Sequence, residues 1–473
     1  MIRGARLASR WTGVASAWLP FADAASPDLP LSRLLRLSLF QISVGMATVL
    51  LNGTLNRVMI VELNVPAWLV ALMLAIPLLA APFRALIGHK SDTHRSLLGW
   101  RRVPYIWFGS LLQFGGLAIM PFALLLVGRP GDFTIGVVAG CLAFLLAGAG
   151  LHTTQTAGLA LATDLAPAEK RPRAVALLYV MLLAGMMAAS FAIGMLLAEF
   201  TPTRLVQVIQ GAAVLTMVLN MIALWKQEAR SAQVAAADTP RPPFAEVWRT
   251  FSSARSTVRL LVAVGMGAAA FAMQDALLEP FGGEILGMSV GATTGLTGAW
   301  ALGALVGFAL SSRWLDRGLD ALRVAGFGLL LGTVAFLFVI LAVPFSEAAL
   351  LVLGAVLIGV GVGMFSVGTL VEAMNLGEDG SAGLALGAWG AVQATCAGLG
   401  IALGGIIRDL ASRHAVHDGF GATLADRATG YGTVYLIEIA LLLATLAVIG
   451  PLVGRNRIAN GSTGRFGLTE FPT

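Results

Sequence analysis

Residues 323–344 read RVAGFGLLLGTVAFLFVILAVP, and Arg323, the first of them, is the only charged residue in the stretch. A helix needs about 20 consecutive apolar residues to cross the hydrocarbon core of a bilayer. The stretch meets this requirement, and we therefore predict that it forms a transmembrane helix.

Eleven further runs of the same kind extend outward from this one. The twelve predicted helices lie near 36–61, 66–87, 103–127, 134–162, 174–198, 204–225, 259–284, 291–312, 323–344, 348–374, 384–407 and 431–453. The whole chain is 57% hydrophobic and only 12% charged, whereas about 25% of the residues in soluble domains are charged. The sequence therefore predicts an all-α polytopic membrane protein with twelve transmembrane helices.

The positions of Lys and Arg predict how the helices are oriented. With both termini in the cytoplasm, 25 of the 31 Lys and Arg residues lie in cytoplasmic segments, and Arg57 lies inside the first helix. The remaining five lie on the opposite side: Arg129, Arg204, Arg408, Arg413 and Arg427. Cytoplasmic loops carry an excess of Lys and Arg, so we expect both termini to be cytoplasmic.

The chain divides into two repeated halves of six helices. Val44-Gly45-Met46 in the first helix recurs as Val264-Gly265-Met266 in the seventh, and internal repeats of this kind are typical of secondary-transporter folds. We assign 1–35 to a cytoplasmic N-terminal segment, 36–226 and 259–453 to the two six-helix bundles, 227–258 to a cytoplasmic linker and 454–473 to a cytoplasmic tail. The N-terminal segment fits either an interfacial amphipathic helix or a disordered tail.

Two short loops at equivalent places in the halves carry an Asp with a nearby Arg. Asp92 and Arg95 follow the second helix, and Asp316 and Arg317 follow the eighth. These loops are similar to the signature loops of the major facilitator superfamily. We expect the four residues to form a cytoplasmic gate between the bundles; the alternative is a pair of solvated loops.

The first and seventh helices carry polar residues at similar depths. In the first helix these are Gln41, Thr48, Asn52, Asn56 and Arg57, and in the seventh they are Gln274, Asp275 and Glu279. Ionisable groups inside a membrane are costly and usually face a cavity or a partner. We therefore expect Arg57 to form a buried ion pair with Asp275 or Glu279. Such a pair could hold the bundles together or form part of a polar central site.

The fourth helix carries the polar pair His152 and Gln155, which share a helical face. Neutral imidazole is a good axial ligand for a metal such as the magnesium of a chlorin. The alternative is a buried histidine hydrogen-bonded to a neighbouring helix.

Sequence motifs of catalysis are lacking. Both cysteines, Cys141 and Cys396, lie in apolar runs without metal-binding spacing, and His414 and His417 make only a weak pair. There is no catalytic triad and no phosphate-binding loop. We expect neither enzymatic activity nor a bound metal ion, and no nucleic-acid partner.

Several long stretches are specific enough to indicate a family. Residues 52–63 (NGTLNRVMIVEL), 274–284 (QDALLEPFGGE), 83–95 (FRALIGHKSDTHR) and 101–107 (RRVPYIW) resemble the bacteriochlorophyll-delivery branch of the major facilitator superfamily. The resemblance covers nearly the whole chain. It implies the major facilitator fold and a place in the inner, intracytoplasmic photosynthetic membrane of purple bacteria.

The resemblance also implies a function. Family members help to assemble light-harvesting complexes, here the peripheral complex (light-harvesting 2), by passing bacteriochlorophyll to nascent antenna polypeptides. Further expected partners are bacteriochlorophyll synthase and the membrane insertion machinery. The alternatives are a proton-coupled transporter of a small solute and a scaffold without pigment. The residues that we expect to bind the pigment transiently are His152, Gln155, Asn52, Asn56 and Gln274.

Overall fold

A computed structural model describes residues 29–79, 100, 102–129, 131–167, 170–228, 255–376, 382–417 and 428–453. The regular elements in these ranges are helices. They are α1 (Leu31–Glu62), α2 (Ala67–Leu79), α3 (Val103–Val127), α4 (Phe133–Leu165), α5 (Arg171–Leu196), α6 (Pro202–Leu224), α7 (Arg255–Glu284), α8 (Val290–Asp316), α9 (Ala321–Phe345), α10 (Ala348–Leu376), α11 (Ala382–His417) and α12 (Ala428–Ile449).

The predicted spans agree closely with these helices. Within the described ranges, eleven are long and apolar enough to cross a membrane, and α2 has 13 described residues. The rest of the predicted second span, together with the N-terminal segment, most of the linker and the tail, lies outside the described residues. The chain is thus a multi-pass membrane protein, and the fold class predicted from the sequence is confirmed.

α11 is the helix whose extent differs most from its prediction. It continues to His417, whereas the apolar run ends near residue 407. The added part begins with Arg408 and Asp409, which pair with each other at 2.8 Å. Hydropathy detects only apolar residues, so the prediction ends at these charges although the helix continues.

The helices alternate in direction, which defines two ends of the bundle. We call the end where α1 begins, at Leu31, the near end, and the end where it finishes, at Glu62, the far end. Odd-numbered helices run from the near end to the far end. The near end is the one predicted to face the cytoplasm.

Each half packs mainly within itself. In the first half α3 packs on α4 and α6, and α1 on α5 and α6; in the second, α10 packs on α8 and α9, and α7 on α11 and α12. A chain of buried hydrogen bonds also connects helices of the first half: Ser43 donates to Asn220 (2.7 Å), and Asn220 donates to Ser110 (2.8 Å). Such hydrogen bonds help to hold helices together where lipid gives no hydrophobic drive.

The most extensive contacts between the halves are those of α2 with α11 and of α5 with α8. Gly194 of α5 and Gly291 of α8 let these backbones meet, since a methyl group on Gly291 would overlap the carbonyl oxygen of Gly194. The hydroxyl of Thr54 in α1 lies 3.1 Å from that of Thr294 in α8. These contacts fix the far half of α1 against the second half of the chain, where the polar motifs lie.

Candidate functional site

α1 departs from α-helical geometry within its polar motif. Val49–Leu55 and Val58–Glu62 are π-helical. The side chain of Asn56 competes with the backbone there, because its Nδ2 donates to the carbonyl oxygen of Asn52 (2.5 Å) and its Oδ1 accepts the N–H of Arg57 (2.5 Å). π-Helical turns are rare and are found frequently at functional sites.

α7 also departs from α-helical geometry at the same depth, but its turn is tighter than an α-helical turn, whereas the turns of α1 are wider. Met273–Ala276 forms a tighter 3₁₀ turn between two α-helical segments. Pro280 accounts for the break, since it has no N–H and its ring clashes with the carbonyl group four residues earlier. The two distorted segments meet where Nδ2 of Asn56 donates to the carbonyl oxygen of Asp275 (3.1 Å).

The expected ion pair of Arg57 with Asp275 or Glu279 is not formed. Arg57 Nη1 instead pairs with Glu62, and Nη2 donates to the carbonyl oxygen of Met288 (3.2 Å). The reason is local: the π-helical turn brings a residue five positions later onto the same face of α1. Arg57 is buried, and it holds the end of α1 to the loop before α8.

The carboxyl groups of α7 have other neighbours. Thr297 of α8 donates its hydroxyl to Oε1 of Glu279, while Oε2 of Glu279 has no hydrogen-bond partner in the described part of the chain. A methyl group on Gly53 would overlap Oε1 of Glu279 and lie 2.7 Å from Oγ1 of Thr297, so α1 lies directly on this pair. Gln274 donates its side-chain N–H to Asp275.

A second polar cluster closes the far end and was not predicted from the sequence. Arg408 donates to Glu284 (2.5 Å) and Asp409 (2.8 Å), and the hydroxyl of Tyr431 donates to Glu284 (2.7 Å). Asp409 also accepts the backbone N–H of Trp68 (2.9 Å), at the start of α2. The cluster therefore links α2 of the first half to α7, α11 and α12. Its one sequence signal is the adjacent Arg408 and Asp409, which the positive-inside count placed in an outer loop.

His152 and Gln155 lie apart from both clusters. They are half-buried on α4, which runs toward the near end. Phe40 of α1 packs on Gly158 of α4. His152 precedes Gly158 by six residues, so it lies farther toward the far end than Phe40 does. Along the bundle axis, His152 therefore lies roughly 9 Å closer to the near end than Asn52 does. The structure brings Asn56 and the backbone of Gln274 and Asp275 together in the far half and leaves His152 and Gln155 in the near half.

Only one of the two loops of the predicted gate lies within the described residues. Asp316 ends α8 and Arg317 follows it as an exposed residue, whereas Asp92 and Arg95 lie outside the described residues. The gate between the two loops therefore stays a prediction.

A family model described as PUCC protein matches residues 54–457. The chain belongs to the PucC family. Protein PucC of Rhodovulum sulfidophilum is 56% identical over 85% of this chain and 90% of its own length. A Rhodobacter capsulatus protein described as an uncharacterized protein in the puhA-bchM intergenic region is 54% identical over 97% of this chain and 98% of its own.

Solved structures identify the fold. A bacterial homologue of the human lysosomal transporter Spinster, crystallised in an inward-facing and unoccupied conformation, superimposes with a TM-score of 0.65. The match covers 88% of this chain and 95% of the other at 15% sequence identity. At that identity the likeness shows the fold alone, and it confirms the major facilitator fold predicted from the sequence.

Proposed function

We propose that this protein assists the assembly of light-harvesting complexes by binding bacteriochlorophyll transiently and delivering it to nascent antenna polypeptides. The observation that carries the proposal is membership of the PucC family over most of the chain. The protein acts in the intracytoplasmic photosynthetic membrane with both termini in the cytoplasm, and its role is not enzymatic. Transport of a small solute is less favoured, because the transporter-like structures share only the fold.

The chemistry of the pigment selects among the polar residues. Bacteriochlorophyll is a large, flat, apolar molecule with one Lewis-acidic magnesium, so it needs an apolar surface and a polar ligand that the pigment can reach. Asn56 is fully buried, and both atoms of its amide group make hydrogen bonds within the closed far half. His152 and Gln155 are half-buried and lie on the near-half face of α4. We therefore favour these two residues over Asn56 as pigment ligands.

Reversible delivery also favours a simple site. One neutral imidazole with an amide beside it binds magnesium more weakly than a multidentate site would, and weak ligation allows handover. Within the described residues no group of three or more His, Cys, Asp or Glu side chains could hold a metal ion on its own. The magnesium that His152 or Gln155 would ligate is the one that the pigment itself carries.

Deletion of the gene in its native host tests the assembly role. We expect the absorbance of the peripheral antenna in isolated membranes to fall strongly, the core antenna to be spared, and the wild-type gene to restore the loss. The identities of 56% and 54% to two differently described relatives do not by themselves choose the client complex. Loss of the core antenna alone would assign the other client, and unchanged levels of both antennas would contradict the proposal.

A further inference from the structure

Two fully buried polar groups of the first half belong to neither polar cluster of the far end. Oε1 of Gln113, on α3, and Oγ1 of Thr216, on α6, have no hydrogen-bond partner in the described part of the chain. Both residues are completely buried. A buried polar group without a partner costs free energy, so groups of this kind normally bind either protein atoms or ordered water.

The orientation of the Gln113 amide group is fixed by its contact with α1. Nε2 of Gln113 donates to the carbonyl oxygen of Ser43 (3.1 Å). A carbonyl oxygen can only accept a hydrogen bond, so the nitrogen atom of the amide group must face Ser43 and cannot exchange places with the oxygen atom. Oε1 of Gln113 is therefore an acceptor on the other arm of the amide group, and it requires a donor.

Thr216 lies at the level of Gln113. The reference point is the hydrogen bond from Asn220 of α6 to Ser110 of α3 (2.8 Å). Gln113 follows Ser110 by three residues on α3, and Thr216 precedes Asn220 by four residues on α6, which runs in the opposite direction. Residues three or four apart share a helical face, so both side chains lie roughly 5 Å farther toward the far end, where α3 packs on α6.

We propose that an ordered water molecule binds between Gln113 and Thr216 and joins α3 to α6. The two groups lie on facing sides of the helices but form no direct hydrogen bond, and a water molecule bridges polar groups at such a spacing. The water donates one hydrogen to Oε1 of Gln113 and accepts the hydroxyl hydrogen of Thr216. Two such bonds lie within the range that buried waters make. This inference goes beyond the proposed function, since it needs no pigment.

The water extends the chain of buried hydrogen bonds that runs from Ser43 through Asn220 to Ser110. The extended chain joins α1, α3 and α6 over more than one helical turn, so we expect these helices to move as one unit. The second half offers a matched residue for comparison. Thr445 of α12 is also completely buried, but its hydroxyl donates to the carbonyl oxygen of Leu441 in its own helix (2.7 Å).

A density map of the protein in phospholipid nanodiscs, at a resolution that shows ordered water, tests the site directly. We expect a water peak within hydrogen-bond distance of both Oε1 of Gln113 and Oγ1 of Thr216. Thr216→Val should remove this peak, and Thr445→Val should leave it in place. The wild-type map is decisive even if a variant does not fold. An empty site in that map, or a Thr216 hydroxyl that donates to a carbonyl group of its own helix, would overturn the proposal.

A double-mutant cycle provides a second measurement. Because Gln113 and Thr216 share the water, loss of either side chain should release it. Gln113→Leu combined with Thr216→Val should therefore lower the midpoint of thermal unfolding by less than the sum of the two single shifts. The control cycle of Gln113→Leu with Thr445→Val should be additive. Additive shifts in both cycles would contradict a shared water.

Discussion

α1 and α7 occupy the same place in the two halves, and both are distorted near the far end, yet they differ in how. α1 widens into π-helical turns because an amide side chain enters its backbone hydrogen bonding, whereas α7 tightens into a 3₁₀ turn ahead of Pro280. The wide segment engages both amide atoms of Asn56 and two of the three nitrogen atoms of the Arg57 guanidinium group. In α7, Oε1 of Gln274 and Oε2 of Glu279 have no hydrogen-bond partner among the described residues. The comparison indicates that α1 anchors the far end.

Replacing Asn56 should produce the largest effect, because this residue joins the two distorted segments. Asn56→Leu removes its hydrogen bonds to Asn52, Arg57 and Asp275 and leaves buried backbone groups without partners. We expect the free energy of unfolding in mixed micelles to fall by about 2–4 kcal/mol. Gln207→Leu, on the exposed face of α6, is the matched control and should change it little. Equal effects of the two variants on the free energy of unfolding would contradict the anchoring role of α1.

A double-mutant cycle separates the observed ion pair from the expected one. Arg57→Ala combined with Glu62→Gln should show a coupling energy of about 1 kcal/mol in unfolding experiments, since these side chains are in contact. The same cycle with Asp275→Asn should be close to additive. Stronger coupling to Asp275 than to Glu62 would restore the pairing expected from depth alone.

A smaller effect is expected at Gly53, where α1 lies against the acidic pair of α7 and α8. Gly53→Ala would press on Glu279 and Thr297, whose side chains can shift, so a loss of about 1 kcal/mol in unfolding free energy is expected. Gly115→Ala on α3 meets no atom within 4 Å and serves as the control. Comparable thermal stability of both variants would show that the contact is loose.

The sequence predicts the spans well because the thickness of the bilayer sets the length of each apolar run. The ion-pair partner of a buried charged residue is harder to predict from the sequence. Depth placed Arg57 beside Asp275 and Glu279, but the π-helical turn of α1, which depends on the tertiary position of Asn56, directs it to Glu62. Helical periodicity assumes α-helical turns and could not show this.

Two other features of the site also depend on tertiary structure. The sequence predicts both His152 and Asn52 as pigment ligands, yet the packing of α4 on α1 places them at different depths. Glu438 attracted no prediction, since one acidic residue in an apolar run of α12 does not interrupt the span. Its complete burial depends on how α12 packs against the other helices, which the sequence does not show.

The most direct test of pigment delivery is the bacteriochlorophyll content of the protein purified from pigment-producing cells. The wild-type protein should carry bound chlorin, visible in its absorption spectrum, and Gln207→Leu should carry the same amount. His152→Leu combined with Gln155→Leu should lose most of the pigment and should still unfold in a single cooperative thermal transition. A double variant that keeps its full pigment content would contradict the near-half site, and a wild-type protein without any chlorin would contradict delivery itself.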